Sequence, residues 1–441
     1  MNRSSRIAFQ LERPALFLIL MLDSGSGLGI VTPSGPGSAP AGLDAAVGRV
    51  AHLSLFMFFI WAISRLRGSF DLILRERWIA VLVIWSVASI GWSVQPGQTL
   101  RYSMALAVAM LVGLYIGIRI EPLQQIRLVA LCLGITAILS LSLGLFAPKF
   151  AISPDGEWRG AFLHKNSLSY LMSLSALCFL FLAICERRRR WFFVTMALLS
   201  CVLVVLSKSA GGLVVTLIMF VLLTPLYKIL QLSKRGFIAA IVASAAVFGV
   251  GLALVLQNLT PLFNLLGRDA TFTGRVQLWQ HVKQEILTRP VLGFGYSAFW
   301  STGEADRLRA AVGWEPWTAH NGFLDAALGL GFLGLIILCI GLLRNFILGI
   351  GVARQKHDLT LAWPLFFMIF AVLSNLMESW ITGASACCKP PLQIGASSLF
   401  WTLYIANSYW LVRISSEVEQ PTLQERTDIS LEFLGLESSQ S

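Results

Sequence analysis

The feature that most constrains this chain is the recurrence of apolar runs about as long as a bilayer is thick. A helix needs roughly 20 predominantly apolar residues to cross about 30 Å of hydrocarbon. In that medium only helices and closed barrels can satisfy their own backbone groups. Runs of this kind fall near 15–33, 49–64, 78–93, 102–118, 128–147, 164–185, 191–206, 210–227, 237–256, 322–343, 361–383 and 394–412. They predict an all-α integral membrane protein with about 12 transmembrane helices. Composition supports this, because 56% of the 441 residues are hydrophobic and only 13% are charged, too little polar surface to cover a soluble body of that size. The expected organisation is about nine N-terminal spans over 1–256, a large polar loop over 257–321, about three spans over 322–413, and a Ser/Gln-rich tail over 414–441 that reads as disordered.

A net charge of +11 in a soluble protein would suggest nucleic acid, but here the basic residues gather in short loops between apolar runs. That pattern is a topology signal and excludes a nucleic-acid footprint. Arg65, Arg67, Arg75, Arg77, Arg119, Arg127, Arg187 to Arg190, Lys228, Lys234, Arg235, Arg344, Arg354 and Lys356 share one side with the N-terminus and the tail. By the positive-inside rule that side is cytoplasmic. The first run is interrupted by Asp23, and "APA" at 39–41 mimics a cleavage site, so this run is either a span or a cleaved signal. Five of the seven cysteines lie in apolar runs as small hydrophobes; Cys387 and Cys388 fall in a loop beside no His or carboxylate cluster.

Three polar pieces emerge on the opposite face: the 148–163 loop, the tight "SKS" turn at 207–209, and the large loop. Within the large loop, "TFTGRVQLWQHVKQEILTRP" reads as a helix from near Thr273 to Pro290, with Val276, Trp279, Val282 and Ile286 as its apolar stripe. Arg275 falls in its first turn, where a cation opposes the macrodipole; it is either a solvated arginine or part of an anion site with the N-terminal amides. In "WTAHNGFLD", Asn321 is a good N-cap for the next span and Asp325 favours the same positive helix end. Capping leaves His320 unexplained: it is either an interfacial histidine or a general base.

"RGAFLHKNSLSYL" places Arg159, His164, Lys165 and Asn166 at the mouth of another span, where lysine and asparagine also suit snorkelling and capping. "VLSKSAGG" puts Lys208 between two apolar helices joined too tightly for a solvated loop. "SNLMESWITG" puts Asn375 and Glu378 in the outer part of a span, where a carboxylate needs a partner and an external cation is the candidate. "GLGFLG" at 329–334 has dinucleotide-fingerprint spacing, but no strand precedes it and it lies within an apolar helix. Gly113 and Gly117 form a small-xxx-small pair suited to helix packing. The external loops hold no Asp-x-Asp or His/Cys cluster, which argues against a metal-assisted mechanism.

Taken together, "TGR" followed by Trp279, "PVLGFGYSAF" and "AHNGFLDAALGLGFLG" resemble the O-antigen ligase and polymerase superfamily, and "RGAFLHKN" is similar to its exopolysaccharide polymerase branch. The likeness covers roughly 151–401. It implies a GT-C-like helical fold in the bacterial inner membrane with an active site facing the periplasm. It also implies metal-independent inverting transfer of glycans from undecaprenyl diphosphate, no cofactor, and a chain-length-regulating polysaccharide co-polymerase as partner. By the same resemblance His320 is the catalytic base, and Arg275 and Lys208 are the cations facing the diphosphate. Many ligases carry arginine at the Lys208 position, and lysine lacks the bidentate fork. Arg159, His164, Lys165, Asn166, Asn321, Glu378 and Trp279 would line the substrate site, with His164 the rival base.

Two other functions are weighed against polymerisation. A ligase moving finished glycan onto lipid A core or protein would share the donor chemistry. A transporter or flippase of lipid-linked sugar should carry charges along a midplane pathway and show repeat symmetry, and neither is seen.

Overall fold

The computed structural model describes residues 3–25, 70–240, 242–243, 274–355, 358–381 and 396–419. Among these residues the protein is all-α, and seven helices are long and apolar enough to cross a membrane. The helices used below are α1 (Arg3–Asp23), α2 (Arg77–Ala88), α3 (Pro96–Arg119), α4 (Pro122–Phe146), α5 (Lys165–Cys185), α6 (Arg190–Leu206), α7 (Ala210–Leu230), α8 (Arg275–Thr288), α9 (Gly303–Val312), α10 (Gly322–Gln355), α11 (Trp363–Met377) and α12 (Ala396–Glu419). The expected spans at 49–64 and 237–256, the "APA" site and Cys387 and Cys388 lie outside or mostly outside the described residues.

Helix faces sort by polarity as a bilayer requires. Ile336, Ile340, Leu343 and Ile347 form an exposed stripe along α10 at helical spacing, and Leu198, Val202 and Val205 do the same on α6. Between helices the glue is close packing and hydrogen bonding, because lipid gives apolar side chains no reason to seek one another. Ser173 of α5 meets Thr216 of α7 at 2.6 Å, and Ser175 of α5 meets Ser200 of α6 at 2.9 Å. The Gly113 and Gly117 pair lies against α12: a Cβ at Gly117 would stand 2.5 Å from the Ala406 carbonyl oxygen. Asp23, which interrupts the first apolar run, is buried at the end of α1 and accepts from Ser398 at 2.9 Å and Thr402 at 3.0 Å of α12.

Two spans depart from expectation in ways that shape the site. α10 extends to Gln355, so Arg344 and Arg354 lie on the helix and not in a following loop, and it is broken at Gly331 (φ 68, ψ −177). "GLGFLG" is thus neither a nucleotide fingerprint nor uninterrupted helix. Carbonyls that lose their helical donors at the break accept from the loop after α8: Phe294 N donates to Leu328 O and Gly295 N to Gly329 O, both at 2.9 Å. Phe332 N in turn donates to Pro290 O at 2.7 Å. Irregular backbone next to a span is tolerated here because protein covers it and its polar groups are paired. Glycine is required at the seam, since a Cβ on Gly331 would fall on the Val291 carbonyl and one on Gly293 would stand 2.5 Å from Gly331 N.

The second departure is α11, which stops at Met377 and not near residue 383. Asn375 turns the chain there, its Oδ1 accepting from Trp380 N at 3.0 Å and Ile381 N at 3.1 Å. Glu378 therefore sits just beyond the span. α12 continues past Arg413 to Glu419, so the first residues of the expected tail are helical.

Candidate functional site

Four helix N-termini and one C-terminus meet on one face of the molecule. α5, α7, α8 and α10 begin there and α11 ends there, with Glu378 as the hub among the ends. The α8 helix forms as expected, opened by Gly274 in the left-handed region (φ 81), but its buried stripe is Leu278, Val282 and Ile286. Val276 is 39% exposed, because the core-facing row runs in steps of four from Leu278. Trp279 lies beside that row and donates from Nε1 to Ala319 O at 2.8 Å, tying α8 to the residue before His320.

His320 Nδ1 stands 2.8 Å from Glu378 Oε1. The other carboxylate oxygen accepts from Asn166 Nδ2 at 2.5 Å and lies 3.9 Å from Arg275 NH2. The external cation sought for Glu378 is thus Arg275, which also donates from NH1 to Met377 O at 2.6 Å, a cation placed at a helix C-terminus. Burial alone would push the Glu378 carboxyl up; the neighbouring His320, its hydrogen bond, Arg275 and His164 override this and hold it at about 2. An ionised carboxylate can only accept, so Nδ1 of His320 is the donor in this contact, and in the neutral ring Nε2 is the nitrogen that carries the lone pair.

The backbone around His320 is strained and tightly held. Among the described residues three that are not glycine have φ in the left-handed region: Lys208 (φ 54), Ser297 (φ 55) and His320 (φ 48). Two of the three are residues singled out from the sequence, and such strain persists only where the surroundings over-determine it. Asn321 caps α10 as expected, its Oδ1 accepting from Phe323 N and Leu324 N at 3.1 Å each. Asp325 does more than favour the helix end. It is buried and clamps three elements, accepting from Trp300 Nε1 at 2.7 Å, from Ala319 N at 2.9 Å and from the Ser379 hydroxyl. Trp314 stacks on the imidazole of His320, centroids 5.6 Å apart and planes at 30°.

The structure brings only part of the "RGAFLHKN" group to the hub. Asn166 joins it directly and accepts from Ser209 Oγ at 2.9 Å, connecting the hub to the "SKS" turn. His164 caps α5 by accepting from Asn166 N at 3.2 Å; the residue is exposed at its rim, and partial desolvation holds its imidazole below its usual 6.5. His164 commits its Nδ1 to this cap, whereas His320 has a carboxylate partner that would stabilise its protonated form. Lys165 pairs with Glu157 at 2.5 Å, and Arg159 donates from Nε to Phe150 O at 3.1 Å, so both serve the 148–163 loop. Lys208 is exposed and reaches Asp155 O at 3.5 Å; it stands one residue from the hub's Ser209 without touching His320, Glu378 or Arg275. Among the described residues no group of three or more His, Cys, Asp or Glu is gathered as for a metal ion.

Sequence reasoning did not find Trp314, Ser379, Ser209 or the clamping role of Asp325. Ser379 and Ser209 adjoin residues that were singled out, and Trp314 stands in the same aromatic stretch as His320, but nothing in their spacing tells which atoms they meet.

Residues 195–339 match the family described as O-Antigen ligase. That segment contains Lys208, Arg275, Trp279, His320 and Asn321, while Asn166 and Glu378, which fold onto His320, lie outside it. The chain is also similar to the exopolysaccharide production protein ExoQ of Rhizobium meliloti (strain 1021), with 29% identity over 298 residues, 61% of this chain and 64% of that protein. The chain therefore spans less than two thirds of the length of that curated relative. A chain from the structure titled "Structural coordination of polymerization and crosslinking by a peptidoglycan synthase complex" aligns over 78% of this chain and 97% of its own, at 18% identity and a TM-score of 0.39. A likeness of that size carries no argument here.

Proposed function

We propose that this protein is a membrane glycosyltransferase that joins repeat units carried on undecaprenyl diphosphate into exopolysaccharide or O-antigen, at the periplasmic face of the inner membrane, by inversion and without a metal. The observation that carries the reading is the His320–Glu378 pair, with its carboxylate shared by Asn166 and Arg275 at a convergence of helix ends. His320 Nε2 takes the proton of the acceptor hydroxyl while that oxygen bonds to the anomeric carbon of the donor. The bond from that carbon to the diphosphate oxygen breaks on the opposite side, and the electron pair leaves with the diphosphate. The imidazolium is stabilised by Glu378, as a carboxylate stabilises a catalytic histidine elsewhere. The leaving diphosphate meets the unused donors of Arg275, the positive ends of α5, α7, α8 and α10, and the mobile charge of Lys208. A full count of about twelve spans and a GT-C-like architecture belong to the same proposal.

The test is reaction of the purified protein with its own lipid-diphosphate repeat unit in the presence of a chelator. Elongation is expected with the wild type and not with His320→Ala, while His164→Ala retains it. Strict metal dependence, or full elongation by His320→Ala, overturns the reading. The family description favours a second reading, ligation of finished glycan to another acceptor. A deletion strain that accumulates uncapped long chains, and not single repeats, supports ligation.

A further inference from the structure

The loop that delivers His320 carries two tryptophans that the chemistry above does not use. Trp317 is 45% exposed although large aromatic rings usually hide. One of its faces is covered by the Arg309 guanidinium, 4.4 Å from the ring centroid. Arg309 is itself immobilised: it donates to Pro316 O at 3.0 Å and Trp300 O at 2.7 Å, and pairs with Asp306 at 2.7 Å. The ring is therefore a rigid plate with one side backed and the other open. Trp314, which stacks on His320, has a buried indole N–H with no hydrogen-bond partner among the described residues. That nitrogen faces Gly274 at the start of α8, where a Cβ would stand 3.2 Å from it. Trp317 lies three positions before His320, at most about 11 Å of extended chain.

A flat, pre-set aromatic face suits the C–H face of a pyranose ring, whose weakly positive hydrogens meet the negative face of the π-system. We propose that Trp317 forms an acceptor-glycan subsite, its open face stacking on a sugar ring beside the Trp314–His320 stack, so that the attacking hydroxyl is presented to His320. The subsite rests on the glycosyltransferase reading above. The backing by Arg309 favours a sugar over the other occupant open to such a ring, the lipid headgroup zone, where tryptophan needs no rigid mount.

The experiment uses the full chain in lipid nanodiscs and the soluble oligosaccharide released by mild acid from the cell's own lipid-linked repeat unit. Saturation-transfer NMR is expected to show transfer to the sugar ring protons in the wild type. Binding should weaken about three- to tenfold in Trp317→Ala and persist in Trp317→Phe. Wild-type transfer that Trp317→Ala leaves unchanged overturns the subsite, as does its absence in the wild type. A loss of thermal stability in nanodiscs with unaltered sugar binding also overturns it, and assigns Trp317 to the bilayer interface. Binding without elongation of the intact lipid-linked substrate supports the subsite and sinks the polymerase reading. Elongation unaffected by Trp317→Ala does the reverse.

Discussion

His320 is held by more restraints than a surface histidine needs: a carboxylate on Nδ1, an aromatic face on its ring, a left-handed backbone, and a capped helix directly after it. The most exacting of these is Glu378, since it decides which ring nitrogen carries the proton. Glu378→Gln removes the negative charge and offers either an amide oxygen or an amide N–H to Nδ1, so the tautomer is no longer fixed. Under the proposed mechanism turnover should fall about 10²- to 10⁴-fold with little change in folded yield, measured as kcat for repeat-unit elongation beside size-exclusion profiles. An unchanged kcat removes Glu378 from the mechanism. Acid sensitivity is the expected consequence of His164 and Glu378. His164 has a folded pKa below its usual 6.5, so its contribution is complete above about 6.5 and is lost as pH falls below it. Glu378, depressed from 4.5 to about 2, adds a second loss over that lower window. Thermal unfolding in detergent should therefore show a first decline in stability starting below about pH 6.5. His164→Asn, which keeps a capping acceptor and removes the titration, should abolish this decline and leave the lower one.

At the level of elements, the hub depends on a helix that is interrupted and a helix that ends early. The loop after α8 docks into the break of α10 through Phe294, Gly295 and Pro290, and Trp85 Nε1 adds a bond at 3.2 Å to Leu330 O. Gly331→Ala places a Cβ on the Val291 carbonyl in a backbone region that only glycine occupies easily, and should cost about 1–3 kcal/mol or more. Gly351→Ala on the same helix meets nothing within 4 Å and should be neutral or stabilising by up to about 1 kcal/mol. Melting temperatures of the two variants in one detergent check this, and equal values would mean that the break carries no load. The break also marks the limit of what sequence patterns disclose. Hydropathy locates α10, and the cap at Asn321 was readable because capping is local. Whether a Gly-x-Gly inside an apolar run bends, packs or breaks depends on what lies against it, here a loop some forty residues earlier in the chain. For the same reason Glu378 was readable as a carboxylate in need of a cation, while Asn166 as its second partner was not: the two are 212 residues apart.

On the scale of the whole molecule, charge and site lie at opposite ends of the same helices. α5 begins at the hub with Lys165 and ends at Cys185, followed by Arg187 to Arg189; at 1.5 Å per residue its 21 residues separate the two by about 30 Å, the thickness of a bilayer core. Arg187 to Arg190 are all exposed, and Trp191 beside them is 80% exposed, as suits residues at an interface of headgroups and water. If positive charge marks the cytoplasmic side, the hub must open on the other. This orientation is required by the proposed chemistry, because a lipid-linked substrate presented at the outer leaflet can meet only a site that opens there. Alkaline phosphatase fused after Gly156 should be active in whole cells, and the same enzyme fused after Arg188 should be inactive. A cytoplasmic reporter at the two positions should give the inverse pattern. Activity after Arg188 would place His320, Glu378 and Arg275 in the cytoplasm, and the polymerase and ligase readings would then fall together, whatever the geometry of the site.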